Sequence, residues 1–365
     1  MQKKITINVL FIFLFIISIC NFSFADEPTI YSQAAILVDS KDGTVIYEKN
    51  SNERMFPAST TKILTGIIAI EKCSLDERVV ASENAINSIK SGYTNANIQV
   101  GEELSMEDLL YALLIKSANE AANVIAEYIS GSTENFANLM NEKAVELGCK
   151  NTHFVNANGV HDDNHYTTAS DLALIAEYCM KNETFRKIVA TEYYTLPATP
   201  QYPSDDRILK NSNSLQIPDH AYYYPYAIGM KTGFTSEAKN CLIAASKKDD
   251  LELISIVLHA EQTEDGRSAR YCDSINLLEY GYNNYVPHYE ETIGKAIEEK
   301  SESESIETQE INNNQEELVI DQNSNQTHLT GFFIFVISGI LMILILILEA
   351  FRYLPKKHGI KYLNS

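Results

Sequence analysis

Two β-rich runs open the ordered pattern, Ala34-Ala35-Ile36-Leu37-Val38-Asp39 and Thr44-Val45-Ile46-Tyr47-Glu48, joined through Asp42-Gly43. Asp-Gly between β-branched runs predicts a hairpin. Pro57 then restrains the entry to a segment that is apolar almost without interruption, Ile63-Leu64-Thr65-Gly66-Ile67-Ile68-Ala69-Ile70. A helix that is apolar nearly all round is a buried one, so a core helix is expected to start near Ser59. Residues 74–104 read as mixed and loop-rich, with turn signals at Ser91-Gly92-Tyr93 and Gly101. Ser105-Met106-Glu107-Asp108 has the form of a capping box and opens a helix through Leu109, Leu110, Leu113 and Leu114. Lys116-Ser117-Ala118-Asn119 interrupts that apolar stripe.

Helical spacing returns over residues 121–129, ending at Gly131, and over residues 133–147, closed by Gly148. Thr168-Ala169-Ser170-Asp171 looks like a second box and opens a helix over residues 172–180. From Tyr193 to Tyr226 the period is lost, with prolines at 197, 200, 203, 218 and 225. Strands are expected at residues 227–234, 241–246 and 253–258, the last two joined by the charged stretch 247–250, and a final helix over residues 267–280. Strands at both ends with helices between them predict an α+β fold: one antiparallel sheet flanked by helices, with an inserted helical lobe. The cleft between lobes is then the place to look for a site.

The chain has 365 residues, is 45% hydrophobic and 21% charged, and carries a formal net charge of −20. No basic surface is available to neutralise phosphates, so nucleic acid is excluded as a partner. Both ends depart from globular composition. A basic start, an apolar run from Ile5 to Cys20, and Ser23 and Ala25 at the −3 and −1 places make residues 1–25 a secretory signal cleaved after Ala25. Residues 291–328 hold ten acids against two lysines and no aromatic residue. Such a stretch cannot bury enough apolar surface to fold, and as a flexible linker it reaches about 35 Å.

Gly331 to Leu348 carries no charge. At about 1.5 Å per residue it spans roughly 27 Å, close to the hydrocarbon thickness of a bilayer. A transmembrane helix is expected at 329–350. Arg352, Lys356, Lys357 and Lys361 in the tail 351–365 place that tail in the cytoplasm. The globular part, residues 26–290, then lies outside the cell membrane, anchored by its C-terminal helix. Five cysteines remain after cleavage at Ala25, with no Cys-x-x-Cys pair, which is neither a disulfide framework nor a zinc site.

Candidate chemistry lies in three short motifs. Ser59-Thr60-Thr61-Lys62 puts a hydroxyl and an amine on one face of a helix turn. A serine needs an adjacent base to become a nucleophile, and a buried lysine can be that base. Ser117-Ala118-Asn119 and Lys231-Thr232-Gly233 follow in order, at a break between helices and on a strand before a hairpin. Each motif is weak alone, and the ordered set is specific. With its neighbours Pro57-Ala58, Leu114-Ile115-Lys116, Glu120-Ala121-Ala122, Gly229-Met230 and Phe234-Thr235, the set resembles the low-molecular-weight D-alanyl-D-alanine carboxypeptidases, penicillin-binding serine peptidases with a β-lactamase-like fold. The resemblance covers roughly residues 28–285.

It implies an acyl-enzyme on Ser59 with Lys62 as general base, Ser117 as proton relay, and Asn119 holding the substrate amide and orienting Lys62. Lys231 would supply a fixed charge near the terminal carboxylate and Thr232 a hydrogen bond to it. Gly233 would leave room for substrate backbone, and the N–H groups of Ser59 and Phe234 would form the oxyanion hole. Arg270 matches an arginine that some relatives place near the carboxylate, or else is a surface residue of the last helix. The implied partners are peptidoglycan stem peptides and β-lactam antibiotics, with no cofactor. His161-Asp162-Asp163-Asn164-His165 offers no third metal ligand and reads as loop. Three other activities share the chemistry or the surface: a β-lactamase, a DD-endopeptidase and a non-catalytic peptidoglycan-binding scaffold. Against the first, no Glu-x-x-Leu-Asn run occurs between Asn119 and Lys231.

Overall fold

The computed structural model describes residues 27–287. The expected signal, acidic linker, membrane helix and cytoplasmic tail all lie outside these residues. No helix of the described residues is long and apolar enough to cross a membrane.

Strands β1 (Ala34–Asp39) and β2 (Val45–Lys49) form the expected hairpin. β1 also pairs with β9 (Leu251–Ala260), which pairs with β8 (Lys239–Lys248), which pairs with β7 (Ala227–Thr235), all antiparallel. The result is one five-stranded sheet of order β2-β1-β9-β8-β7. Alternation along a strand sends successive side chains to opposite faces, and here both faces are covered. Ile36, Val38, Ile243, Ile254 and Ile256 enter the larger core with the helical block, whereas Leu37, Leu242, Leu253 and Val257 face a smaller core closed by Leu277 and Leu278. The latter two belong to α8 (Ala269–Asn284), the expected final helix.

Helix α1 (Lys62–Lys72) follows a 3-10 turn over Ala58–Thr61, and every residue from Lys62 to Ala69 is buried. It packs against α4 (Asn119–Ser130), α5 (Thr133–Glu146), α6 (Ala169–Met180) and α7 (Glu183–Ala190). The inserted block is not wholly a separate lobe, since α6 packs on β1 and β9 and α7 on β7. Helix α3 (Met106–Tyr111) opens with a complete capping box: Asp108 N donates to Ser105 Oγ, and Ser105 N donates to Asp108 Oδ2. The second box is only half formed. Asp171 N donates to Thr168 Oγ1, but the Asp171 carboxylate accepts from Asn151 N and Thr152 Oγ1 instead.

Pattern reading passed over α7, which Asn182 caps through its side chain, and α2 (Glu83–Asn87). It also passed over two ribbons of three-residue strands, β3 (Arg78–Val80) with β4 (Glu103–Ser105) and β5 (Tyr193–Thr195) with β6 (Ile208–Lys210). Strands this short are below the length at which alternation is visible. The five described cysteines are unpaired, three of them buried.

Candidate active site

Ser59 sits in the 3-10 turn that leads into α1, so the first residue of the helix, Lys62, lies one turn behind it. Lys62 Nζ is 2.9 Å from Ser59 Oγ and 2.9 Å from Asn119 Oδ1, and it also meets the carbonyl oxygen of Asn158. Lys62 is fully buried, and burial drives its pKa well below the ordinary lysine value. The charge on Lys231 pushes in the same direction, while Glu120 opposes it. Burial also raises the carboxyl of Glu120, which accepts from Ala96 N at 2.6 Å.

The turn carrying the nucleophile is strained and braced. Ala58 has φ of 49° and Ser117 φ of 69°, left-handed conformations that cost of order 1–3 kcal/mol each in non-glycine residues. Thr60 and Thr61 donate to the carbonyls of Pro57 and Ala58. Buried His165 accepts from Val155 N at Nδ1, so its proton is on Nε2, 2.9 Å from Thr61 Oγ1. Burial pushes its pKa down to about 3, and the neutral ring supports the turn.

The motif residues converge on a cleft of about 690 Å³ lined by Ser59, Ser117, Asn119, Thr232, Gly233, Phe234 and Arg270. Ser117 and Asn119 come from the break between a π-helical turn at Ala112–Lys116 and α4. Among the described residues no hydrogen bond joins Ser117 to Ser59 or Lys62. Asn119 donates from Nδ2 and from its backbone N to Thr94 O, so its amide is occupied on both sides. Thr232 donates to Ser212 Oγ at 2.9 Å. Phe234 is 61% exposed at the cleft. Arg270 is no surface arginine: it is half-buried, donates to Gly233 O, and lines the cleft.

Two motif residues have close neighbours that the sequence does not show. A Cβ on Gly233 would lie 3.0 Å from Pro57 O and 3.1 Å from Ser59 N. The glycine therefore makes room for the nucleophile's own turn. Burial and a cationic neighbour both disfavour the charge on Lys231. It is fully buried, donates to Thr232 O, and is pushed down to about 7 by burial and by Arg270.

That shift predicts a pH-dependent stability. Between pH 7 and 10 the unfolded chain holds a proton on this lysine that the folded chain has shed, so stability rises with pH across the window. Lys231→Met is expected to remove part of that slope, up to about 1.4 kcal/mol per pH unit. Denaturant midpoints at pH 7, 8 and 9 check it; identical slopes in the two proteins would show that Lys231 is not shifted.

Sequence reasoning missed Asn158, Gly159, Ser212, Thr94 and Glu120. Asn158-Gly159 is a visible turn signal, whereas nothing local distinguishes Ser212 or Thr94.

A sequence model of D-alanyl-D-alanine carboxypeptidases matches residues 22–262. The chain belongs to the D-alanyl-D-alanine carboxypeptidase family. It is 34% identical over 287 residues to the D-alanyl-D-alanine carboxypeptidase DacF of Bacillus subtilis strain 168, covering 76% of this chain and 69% of the relative. It is 31% identical to DacC of Escherichia coli K12, over 70% of this chain and 62% of that one. The crystal structure of the Streptomyces K15 DD-transpeptidase superposes with a TM-score of 0.64 at 32% identity, covering 71% of this chain and 100% of that chain. The D-alanyl-D-alanine carboxypeptidase of Mycobacterium tuberculosis H37Rv gives 0.66 at 25% identity, over 73% and 96%. The family's fold of sheet and helices is thus the fold described above.

Proposed function

We propose that this family member is a serine D-Ala-D-Ala carboxypeptidase that trims the terminal D-alanine from peptidoglycan stem pentapeptides, and that β-lactams acylate it. The observation that carries the reading is the setting of Lys62. A neutral amine has two N–H bonds and one lone pair. Two of its neighbours, Asn119 Oδ1 and Asn158 O, only accept. When Lys62 is neutral, both N–H bonds are used on them, and the lone pair is left for the Ser59 hydroxyl.

Ser59 Oγ attacks the carbonyl carbon between the two D-alanines as Lys62 takes its proton. The oxyanion is held by the N–H groups of Ser59 and Phe234. The C–N bond breaks as the proton passes to the leaving amine through Ser117, releasing D-alanine. Water then hydrolyses the ester. Arg270 and Thr232 hold the terminal carboxylate, with the buried Lys231 behind them adding positive charge. Residues 1–25 as signal, 26–290 as catalytic domain, 291–328 as linker, 329–350 as membrane helix and 351–365 as cytoplasmic tail would present this cleft to the cell wall. Composition alone supports that arrangement.

The test is D-alanine release from a pentapeptide ending in D-Ala-D-Ala, with mass spectrometry after penicillin treatment. Wild-type protein is expected to release D-alanine and to carry a long-lived adduct on Ser59. Ser59→Ala should lose both, the release falling by about 10³-fold or more. Rapid turnover of penicillin would make the protein a β-lactamase, and equal release by Ser59→Ala would leave only a scaffold.

A further inference from the structure

The cleft is cationic in a chain whose net charge is −20. Lys90, Lys116 and Arg270 line it, and among the described residues Glu237, on the β7–β8 turn, is the single acid that does so. Arg270 lies on the sheet side with Thr232 and accounts for the substrate's terminal carboxylate. Lys90 and Lys116 lie on the helical-lobe side, Lys116 half-buried directly before Ser117. Neither lysine forms a side-chain hydrogen bond or ion pair among the described residues, and a peptide has only one C-terminus to share between the two sides.

The segment carrying Lys90 is tied to the catalytic machinery. Thr94 O accepts from both Asn119 nitrogens, and Glu120 accepts from Ala96 N. Beyond Lys90, Tyr93 and Val160, which line both spaces, lies a recess of about 230 Å³ with Ser88, Asn123, Asn156 and Asn158 on its walls. Among the described residues Lys90 is the only charged one lining it. The cleft therefore has an extension whose polar groups are hydroxyls, amides and one cation.

We propose that Lys90 and Lys116 form a second anion subsite that takes a carboxylate upstream of the scissile bond, so that the enzyme selects acidic stem peptides over neutral ones. This rests on the carboxypeptidase reading above. Two sources carry the chemistry: the free carboxylate of a γ-linked D-glutamyl residue, or the side-chain carboxylate of a diamino diacid preceding the scissile D-alanine. Each solvated lysine–carboxylate pair is worth about 0.2–1 kcal/mol. Two of them give a preference of about 2- to 30-fold, read as kcat/KM.

The experiment compares three synthetic peptides: diacetyl-L-lysyl-D-Ala-D-Ala, its γ-D-glutamyl extension, and the counterpart with meso-diaminopimelate replacing lysine. Wild-type protein is expected to prefer one or both acidic peptides, and the one preferred identifies the source. The preference should shrink toward unity in Lys90→Gln/Lys116→Gln, and on raising salt from about 0.02 to 0.5 M, where screening shortens to a few ångströms. No preference in the wild type, or a preference unchanged in the double variant, overturns the subsite. Absence of D-alanine release from all three peptides would instead overturn the carboxypeptidase reading. Circular dichroism of the double variant checks that it is folded.

Discussion

Lys62→Met is expected to slow acylation of Ser59 by about 10²–10⁴-fold, the range over which a positioned general base acts. Methionine has nearly the length of lysine and no lone pair of comparable basicity, so the fold should survive while the proton acceptor is lost. Second-order acylation by a fluorescent penicillin is the direct measure, because it isolates the first chemical step from hydrolysis of the ester. A variant acylating at a tenth of the wild-type rate or faster would mean that another group takes the proton.

The pH profile adds an independent check on the same amine. Only the neutral form of Lys62 can act, so acylation falls as pH drops through its pKa, which burial and Lys231 hold well below the ordinary lysine value. Glu120 is the acid that acts on Lys62 in the opposite direction, and Arg270 acts on Lys231. Removing the Lys231 charge in Lys231→Met should move the acidic limb of penicillin acylation upward, because a repulsion that favours neutral Lys62 is gone. A limb that stays in place would show that burial alone sets the basicity.

The sequence carried the parts of this site that are contiguous. Ser59 and Lys62 are linked by helix geometry, and the apolar run from Ile63 to Ile70 already implied burial, which is the cause of the shifted amine. The five-stranded sheet was legible because its strands are long enough to alternate and both hairpins announce themselves. Contacts made across the chain were not legible. Asn158 O reaches Lys62 over a separation of 96 residues, and Ser212 meets Thr232 from a segment whose prolines erase any period. The closeness of Gly233 to the turn at Pro57–Ser59 was equally invisible, since a glycine reports that something is close without saying what. The half-formed box at Thr168 has the same origin: the Asp171 carboxylate found donors at residues 151 and 152, which no local rule can see.

Gly159→Ala is expected to be the most damaging conservative change in the cleft. Gly159 has φ of +78°, and an added Cβ would sit 2.0 Å from Ala58 O, 2.5 Å from Ala58 C and 2.9 Å from Thr61 Oγ1. The nearest atoms are backbone of the turn that presents Ser59, and that turn is already held in a left-handed conformation at Ala58. Relief requires either the turn or residues 158–160 to move, and Asn158 O is one of the two acceptors that orient Lys62. Stability should fall by about 3 kcal/mol or more, combining backbone strain with overpacking. Penicillin acylation should fall at least about 10²-fold, since misplacement near 1 Å has that effect.

Gly266→Ala separates the two causes. Gly266 has nearly the same φ, +80°, and nothing within 4 Å of the added carbon. It should lose only about 1 kcal/mol from backbone strain and keep its acylation rate. Urea midpoints together with acylation rates for the two alanine variants decide the matter. Equal losses in both would place the whole effect in glycine's conformational freedom and remove the steric role of the 58–159 contact.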